Sequence, residues 1–283
     1  ASVLSAGVNY LEGTIATATF QNGASGYSGT VDTHIMQSEP AAGHGALDAL
    51  SWDTDDPSGT SQYNYTLIRF DDMFGPNPGQ IPVGATIQTA TLRYVVYNTG
   101  GSANVNEVVV DWTEAETWNG FGGDAGVQTD EYGTARGSAS GASSAVQTLD
   151  VTASLAAWSS NPAANKGWIF RPTTTDGVDI RSSEYATIAQ RPSLEVTYLL
   201  TGEQYTLTVN TAGTGSVTLN PPGGTYFEGS VVQLTAVPGI GYGFSYWSGD
   251  LGGTTNPTTI TMTGDKTVTA TFTSVPPVSL TVN

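Results

Sequence analysis

TLIRF at residues 66–70, DDMFGPNPGQIPVGAT at 71–86 and IQTATLRYVVYN at 87–98 decide how this chain reads. In the third piece Ala90, Leu92, Tyr94 and Val96 fall on one face, and Thr89, Thr91, Arg93 and Val95 on the other. A period of two is the signature of a half-buried β-strand. Leu67, Ile68 and Phe70 make a shorter strand ahead of it. Between the two, Pro76, Pro78, Gly79, Pro82 and Gly84 stop regular structure and turn the chain. The expectation is a strand pair on which other strands build.

The rest of the composition agrees with an all-β chain. There are 35 glycines and 14 prolines in 283 residues, and no long stretch carries apolar residues at helical spacing. The length suits one large or two modest domains. The net charge of −17 repels phosphate backbones and anionic membranes, which argues against a nucleic-acid partner. No cysteine is present, so there is no disulfide framework, and sheet packing or a bound metal must stabilise the fold. No apolar run approaches the length of a bilayer span, so no membrane insertion is expected. The opening ASVLSAGVNY has neither a basic nor a hydrophobic signal region. An exported chain would already have lost its signal.

Working outward, VDTHIM (31–36) reads as a short strand, and Leu47 onward (LDALSWDTDDPSGTSQ) as an acidic loop beside Trp52. Downstream, 105–111 reads as a strand, and DWTEAETWN (111–119) carries two tryptophans. Residues 120–144 are poor in large apolar side chains and read as a surface excursion. LDVTASLAAWSSNP (149–162) is the one helix candidate, with Val151, Leu155 and Trp158 on a face and Asp150 or Thr152 as a cap. KGWIFRP, VDIRSSE and PSLEVTYLL supply further strands. Residues 201–204 form a polar joint. From Tyr205 to Phe272 come six short strands separated by Gly, Pro and Asn turns, a compact domain of its own. Residues 1–200 hold 21 acids against 7 bases, so the acidity belongs to the first domain. At 274–283, Pro276 and Pro277 make a stiff spacer before a lone alternating strand, Val278, Leu280 and Val282. Such a strand could add to the sheet edge of a neighbouring copy, or begin a further repeat, since VSLTVN echoes YTLTVN.

Two resemblances cover nearly the whole chain. Residues 1–200 resemble the disaggregatase-related (DNRLRE-type) modules. The resemblance is carried by VDTHI (31–35), RFD (69–71), IPVGA (81–85), ATLRY (90–94), TEAETWN (113–119), LDVT (149–152), Trp158, GWIF (167–170) and SSEYATIAQRPSLEVTY (182–198). It implies a jelly-roll β-sandwich, and it points to carbohydrate binding, because that family includes carbohydrate-binding members attached to polysaccharide-degrading enzymes. It also assigns Trp118 and Trp158 to packing motifs. Residues 205–273 resemble the divergent internalin-B-type bacterial repeat, from YTLTVN to KTVTATF. That resemblance implies a small β-grasp-like spacer on secreted or surface proteins of bacteria or archaea, without catalysis.

Several constellations invite chemistry. Asp53, Asp55 and Asp56, with Asp71 next, offer hard oxygens suited to Ca²⁺, or form a solvated acidic turn. Asp32 and His34 share a strand face and could form a metal or acid–base pair; the plainer reading is an ordinary sheet histidine. Two histidines without cysteine do not make a zinc site. Aromatic planes stack on sugar rings, which makes Trp52, in its acidic loop, the expected platform, with Tyr63 and Tyr132 as further candidates. Arg171 and Arg181, with Arg191, could line a basic strip for an anionic sugar, or simply offset the acidic charge. Glu114 and Glu116, two apart, could serve a glycan hydrolase or lyase, although nothing else in the chain resembles one. The reading is therefore a non-catalytic, calcium-stabilised extracellular module whose partner is polysaccharide. The alternatives are a filament or surface-layer subunit whose partners are copies of itself, and a glycan-cleaving enzyme.

Overall fold

A computed structural model describes residues 14–77, 79–200 and 203–275. The expected donor strand, with Val278, Leu280 and Val282, lies outside the described residues. The chain divides into two compact units. The first comprises Ile15–Phe74 and Val83–Leu199, and the second contains the chain from Leu200 onward together with the segment Gly75–Pro82.

The first unit runs β1 (Thr14–Gln21), β2 (Thr30–Met36), β3 (Ala49–Trp52), β4 (Asn64–Phe70), β5 (Thr86–Asn98), β6 (Ala103–Val108), β7 (Tyr132–Ala139), β8 (Val146–Asp150), α1 (Thr152–Ser160), β9 (Trp168–Pro172), β10 (Val178–Arg181) and β11 (Ser193–Leu200). These strands form an all-β sandwich. One sheet has the order β1-β11-β5-β10-β3, with β8 also on β5; the other is β2-β4-β9-β6-β7. The long strand β5 is the frame of the first sheet. Its N-terminal half pairs with β11, Ser193 opposite Arg93. Its middle takes β8, Leu149 opposite Leu92, and its C-terminal end takes β10.

The 66–70 and 87–98 segments do not pair with each other. They lie in opposite sheets, and the proline- and glycine-rich segment between them crosses from one to the other. The burial of β4 gives the reason. Leu67, Ile68 and Phe70 are all fully buried, on both faces of the strand. Such a strand needs cover on each side and sits inside a layered structure. Thr66 and Ile68 lie opposite Phe170 and Trp168, and their face is the sandwich interior. There Phe170 stacks on Trp52 at 5.6 Å and meets Tyr94 edge-on at 5.9 Å.

The helix forms where its periodicity placed it. Asp150 Oδ1 accepts the Thr152 N–H at 2.9 Å, and Leu155 and Trp158 face inward. Residues 120–144 are only partly a surface excursion. Phe121 is fully buried, and residues 132–139 form the edge strand β7. YGTARGSA hides there because an edge strand exposed on both faces needs no apolar alternation.

The second unit runs β12 (Gln204–Ala212), β13 (Gly215–Asn220), β14 (Thr225–Phe227), β15 (Val231–Pro238), β16 (Tyr242–Gly249), β17 (Thr258–Thr261) and β18 (Lys266–Ser274). Four strands form a sheet of order β14-β12-β18-β16 and three form β13-β15-β17. The first and last strands run parallel, Leu207–Ala212 against Lys266–Thr271. Trp247, Leu234, Val232, Met262, Val268 and Phe272 are buried at its core. No helix among the described residues is long and apolar enough to cross a membrane.

Candidate functional site

Two features of the first unit carry chemistry: an aromatic face outside one sheet, and a group of carboxylates where the sheets meet.

The aromatic face follows from the register of the five-stranded sheet. Tyr65 lies opposite Ile35, Leu67 opposite Thr33 and opposite Ile169. Ile169 lies opposite Asn106, and Arg171 opposite Asn104. These side chains share the outer face. Part of that face is covered by the 110–131 segment, where Trp112 and Phe121 bury against Ile35, Leu67, Val108 and Ile169. At the margin of this cover, where Tyr65, Tyr132 and the covering segment's own Trp118 pack against the buried cluster, the rings of Tyr63 and Tyr65 lie parallel, 5.8 Å apart and 4° from coplanar orientation. Trp118 continues the row from Tyr65 at 5.8 Å and 18°. Arg171 sits over the Tyr132 ring at 3.8 Å, and its Nη1 donates to Asn106 Oδ1 at 3.3 Å. Burial first, and Tyr63 next, push the Tyr65 hydroxyl up to about 12, with Arg171 and Tyr132 also in its field.

Of the residues expected to meet sugar, the structure thus brings Tyr63, Tyr132 and Arg171 to one face. It adds Tyr65 and Trp118, which sequence reasoning passed over. Tyr65 had a signal: it sits two residues from Tyr63, so a strand places both on one side. Trp118 does pack against the buried cluster, as the resemblance implies, but stays half-buried, whereas Trp158 is buried.

Trp52 is not an exposed platform. It is 1% exposed, because the loop it was read into is strand β3, paired with β10 so that Trp52 faces Val178. Its Nε1 donates to the Gly101 carbonyl at 3.3 Å. Arg181 belongs to the other sheet, where its guanidinium lies between the rings of Tyr97, at 3.8 Å, and Tyr185, at 4.0 Å. Arg191 spends its donors on the carbonyls of Tyr185 and Asn22. The three arginines therefore form no strip.

The acidic loop is closed on itself. Asp55 accepts the N–H groups of Gly59 at 2.7 Å and Ser61 at 2.6 Å, and these hold its carboxyl below the usual range. Asp53 Oδ1 accepts the Asp55 N–H, and Asp56 accepts from the Asn64 amide. Asp71 takes Arg69 with both oxygens, at 2.6 and 3.0 Å.

Another trio draws together. Asp32, Glu114 and Glu184 each offer an oxygen within 4.8 Å of the others. Asp32 comes from edge strand β2, opposite Ile68, so it faces the sandwich interior and is fully buried. Glu184 follows β10 in a turn fixed by Ser182, whose hydroxyl donates to Leu47 O at 2.6 Å and accepts the Glu184 N–H at 3.1 Å. Glu114 comes from the loop after β6. Glu116, two residues on, turns away and accepts the Thr117 N–H. Burial, then repulsion from Glu184, raises the Asp32 carboxyl well above its ordinary range and Glu114 to about 7. Further along β2, His34 stacks on His44 at 4.6 Å. Burial, then His44, lowers its pKa to about 4, so it adds no positive charge near pH 7.

Gly45 lets the 43–45 loop close on this group. A Cβ there would fall on the backbone oxygen and Cγ of Glu114. Gly45→Ala is therefore expected to cost about 1–3 kcal/mol by overpacking, read as a lowered urea midpoint. An unchanged midpoint would mean the loop does not press on Glu114.

The second unit is an all-β repeat domain. Residues 205–276 match the family model of the divergent InlB B-repeat domain, a module typical of bacterial surface proteins. The match spans β12 to β18 and does not reach the first unit. No curated protein matches the chain.

Proposed function

We propose that the first unit is a non-catalytic extracellular module that binds polysaccharide through the outer face of its five-stranded sheet, with the repeat domain as a spacer. The observation that carries this is the row Tyr63–Tyr65–Trp118, set beside Arg171 on Tyr132. Tyr63, 39% exposed, ends the row and offers its ring to the apolar CH face of a sugar. Arg171 is held in place by Asn106 and Tyr132 and supplies charged donors for sugar hydroxyls. The resemblance of residues 1–200 to the DNRLRE-type modules, a family that includes carbohydrate-binding members, supports the same reading.

The test is a glycan array on the whole chain, followed by affinity electrophoresis on the polymers that bind. Two aromatic contacts at about 0.5–1.5 kcal/mol each predict a loss of about five- to 160-fold in a Tyr63→Ala, Tyr65→Ala double variant. Arg181→Ala, on the other sheet, should leave binding unchanged. An array without hits, or a double variant that binds as well as the parent, overturns the proposal.

A further inference from the structure

We propose that Asp32, Glu114 and Glu184 bind one hard divalent cation of calcium's class at the edge of the sandwich. Three oxygens no more than 4.8 Å apart share a centre within about 2.8 Å of each, and calcium sits 2.3–2.6 Å from its oxygen ligands. A small inward movement brings all three oxygens to bonding distance, with water filling the remaining positions of the roughly six to eight that calcium takes. The donors are all carboxylate, which selects hard cations over the soft and borderline metals that prefer nitrogen and sulfur.

Independent of that convergence, two of the buried oxygens, Asp32 Oδ1 and Glu184 Oε2, are left without donors. Asp32 is fully buried; its Oδ2 accepts the Ser183 N–H at 2.9 Å, while its Oδ1 has no hydrogen-bond partner. Glu184 Oε1 accepts from the Ser183 hydroxyl at 2.6 Å, while its Oε2 is buried and also without a partner. Buried polar atoms are almost always satisfied, and an orphaned carboxylate oxygen in a low-dielectric site is costly. Protein cations do not answer the need. Arg69 bears on Glu114, but its guanidinium is already held by Asp71 and by the Trp112 carbonyl. A divalent ion would satisfy the free oxygens and offset the burial and mutual repulsion that, without it, favour the protonated form of Asp32 and Glu114.

The ligands come from three separate places: strand β2 of one sheet, the turn after β10 of the other, and the loop after β6. The ion would cross-link them in a chain with no cysteine, and binding to the folded state alone would stabilise it.

The experiment is calorimetric titration of the whole chain, freed of metal with a chelator, using calcium chloride and magnesium chloride separately. Thermal melts accompany each. We expect one calcium site, a Tm that rises with calcium, and a smaller response to magnesium. Glu184→Gln and Asp32→Asn should abolish both heat and Tm rise, and Glu114→Gln should weaken binding at least tenfold. Should Asp32→Asn fail to fold, Glu184→Gln and Glu114→Gln decide alone. The proposal is overturned if calcium produces neither heat nor a Tm shift in the parent, if magnesium acts and calcium does not, or if both glutamine variants bind calcium like the parent. The last result would place the ion elsewhere, with the Asp53–Asp56 loop the first alternative. None of these readouts involves a sugar, so failure here leaves the polysaccharide reading standing, and the converse holds.

Discussion

Replacing Trp52 with alanine is expected to remove about 3–5 kcal/mol of stability from the first unit, the range for truncating a buried aromatic. The side chain is closed off from solvent, stacks on Phe170 at 5.6 Å and meets Tyr94 edge-on at 6.2 Å. These three rings join the two sheets across the interior, since Trp52 and Tyr94 come from one sheet and Phe170 from the other. The truncation leaves a cavity that rigid strands on both sides cannot close. It also strips the Gly101 carbonyl of its indole donor. Urea unfolding should show a much lower midpoint, while Trp52→Phe keeps part of the loss back. The opposite pattern, with full stability and lost sugar binding, belongs to a surface tryptophan and would contradict the interior placement.

The second large effect belongs to Trp247. It is the only tryptophan of the repeat domain and is 2% exposed. It tilts against Phe244 at 5.0 Å and donates its Nε1 proton to the Thr255 carbonyl at 2.9 Å. Trp247→Ala removes the largest buried side chain of a small core and leaves that carbonyl without its donor. We expect a loss of about 3–5 kcal/mol, seen as faster amide exchange along β12 and β18 in dilute denaturant. Unchanged protection of those amides would mean that the core does not rest on this ring.

Much of the architecture was legible because strand periodicity is local. Residues 87–98 and 193–200 form strands near where alternation placed them, 31–36 and 168–172 form the short strands expected there, and the helix follows the 151–155–158 spacing. The pairing of 66–70 was not legible. Its apolar run looked like a partner for the next strand, but Leu67 and Ile68 are buried on opposite faces, and which sheet covers each face is a property of the whole fold. Trp52 misled for the same reason: three aspartates beside it signalled a loop, while a short strand ending at the tryptophan carried no alternation long enough to read. The carboxylate trio was half visible. Asp32 and Glu114 each drew notice, paired with the wrong neighbours, His34 and Glu116. No sequence spacing links residues 32, 114 and 184; only the closure of the sandwich brings them together.

The parallel pairing of β12 with β18 has a mechanical consequence. Parallel neighbours start at the same end, so the chain comes into the repeat domain at one end of this pair and leaves at the other. Tension applied through the two ends of the domain pulls these strands past each other along their length. The six-residue ladder from Leu207 to Ala212, about 20 Å long at 3.3 Å per residue, then resists as a unit, because its hydrogen bonds lie across the pull and must shear together instead of unzipping singly. A domain wired in this way transmits force along its axis and keeps its length under stretch, a property that suits the spacer role proposed for it.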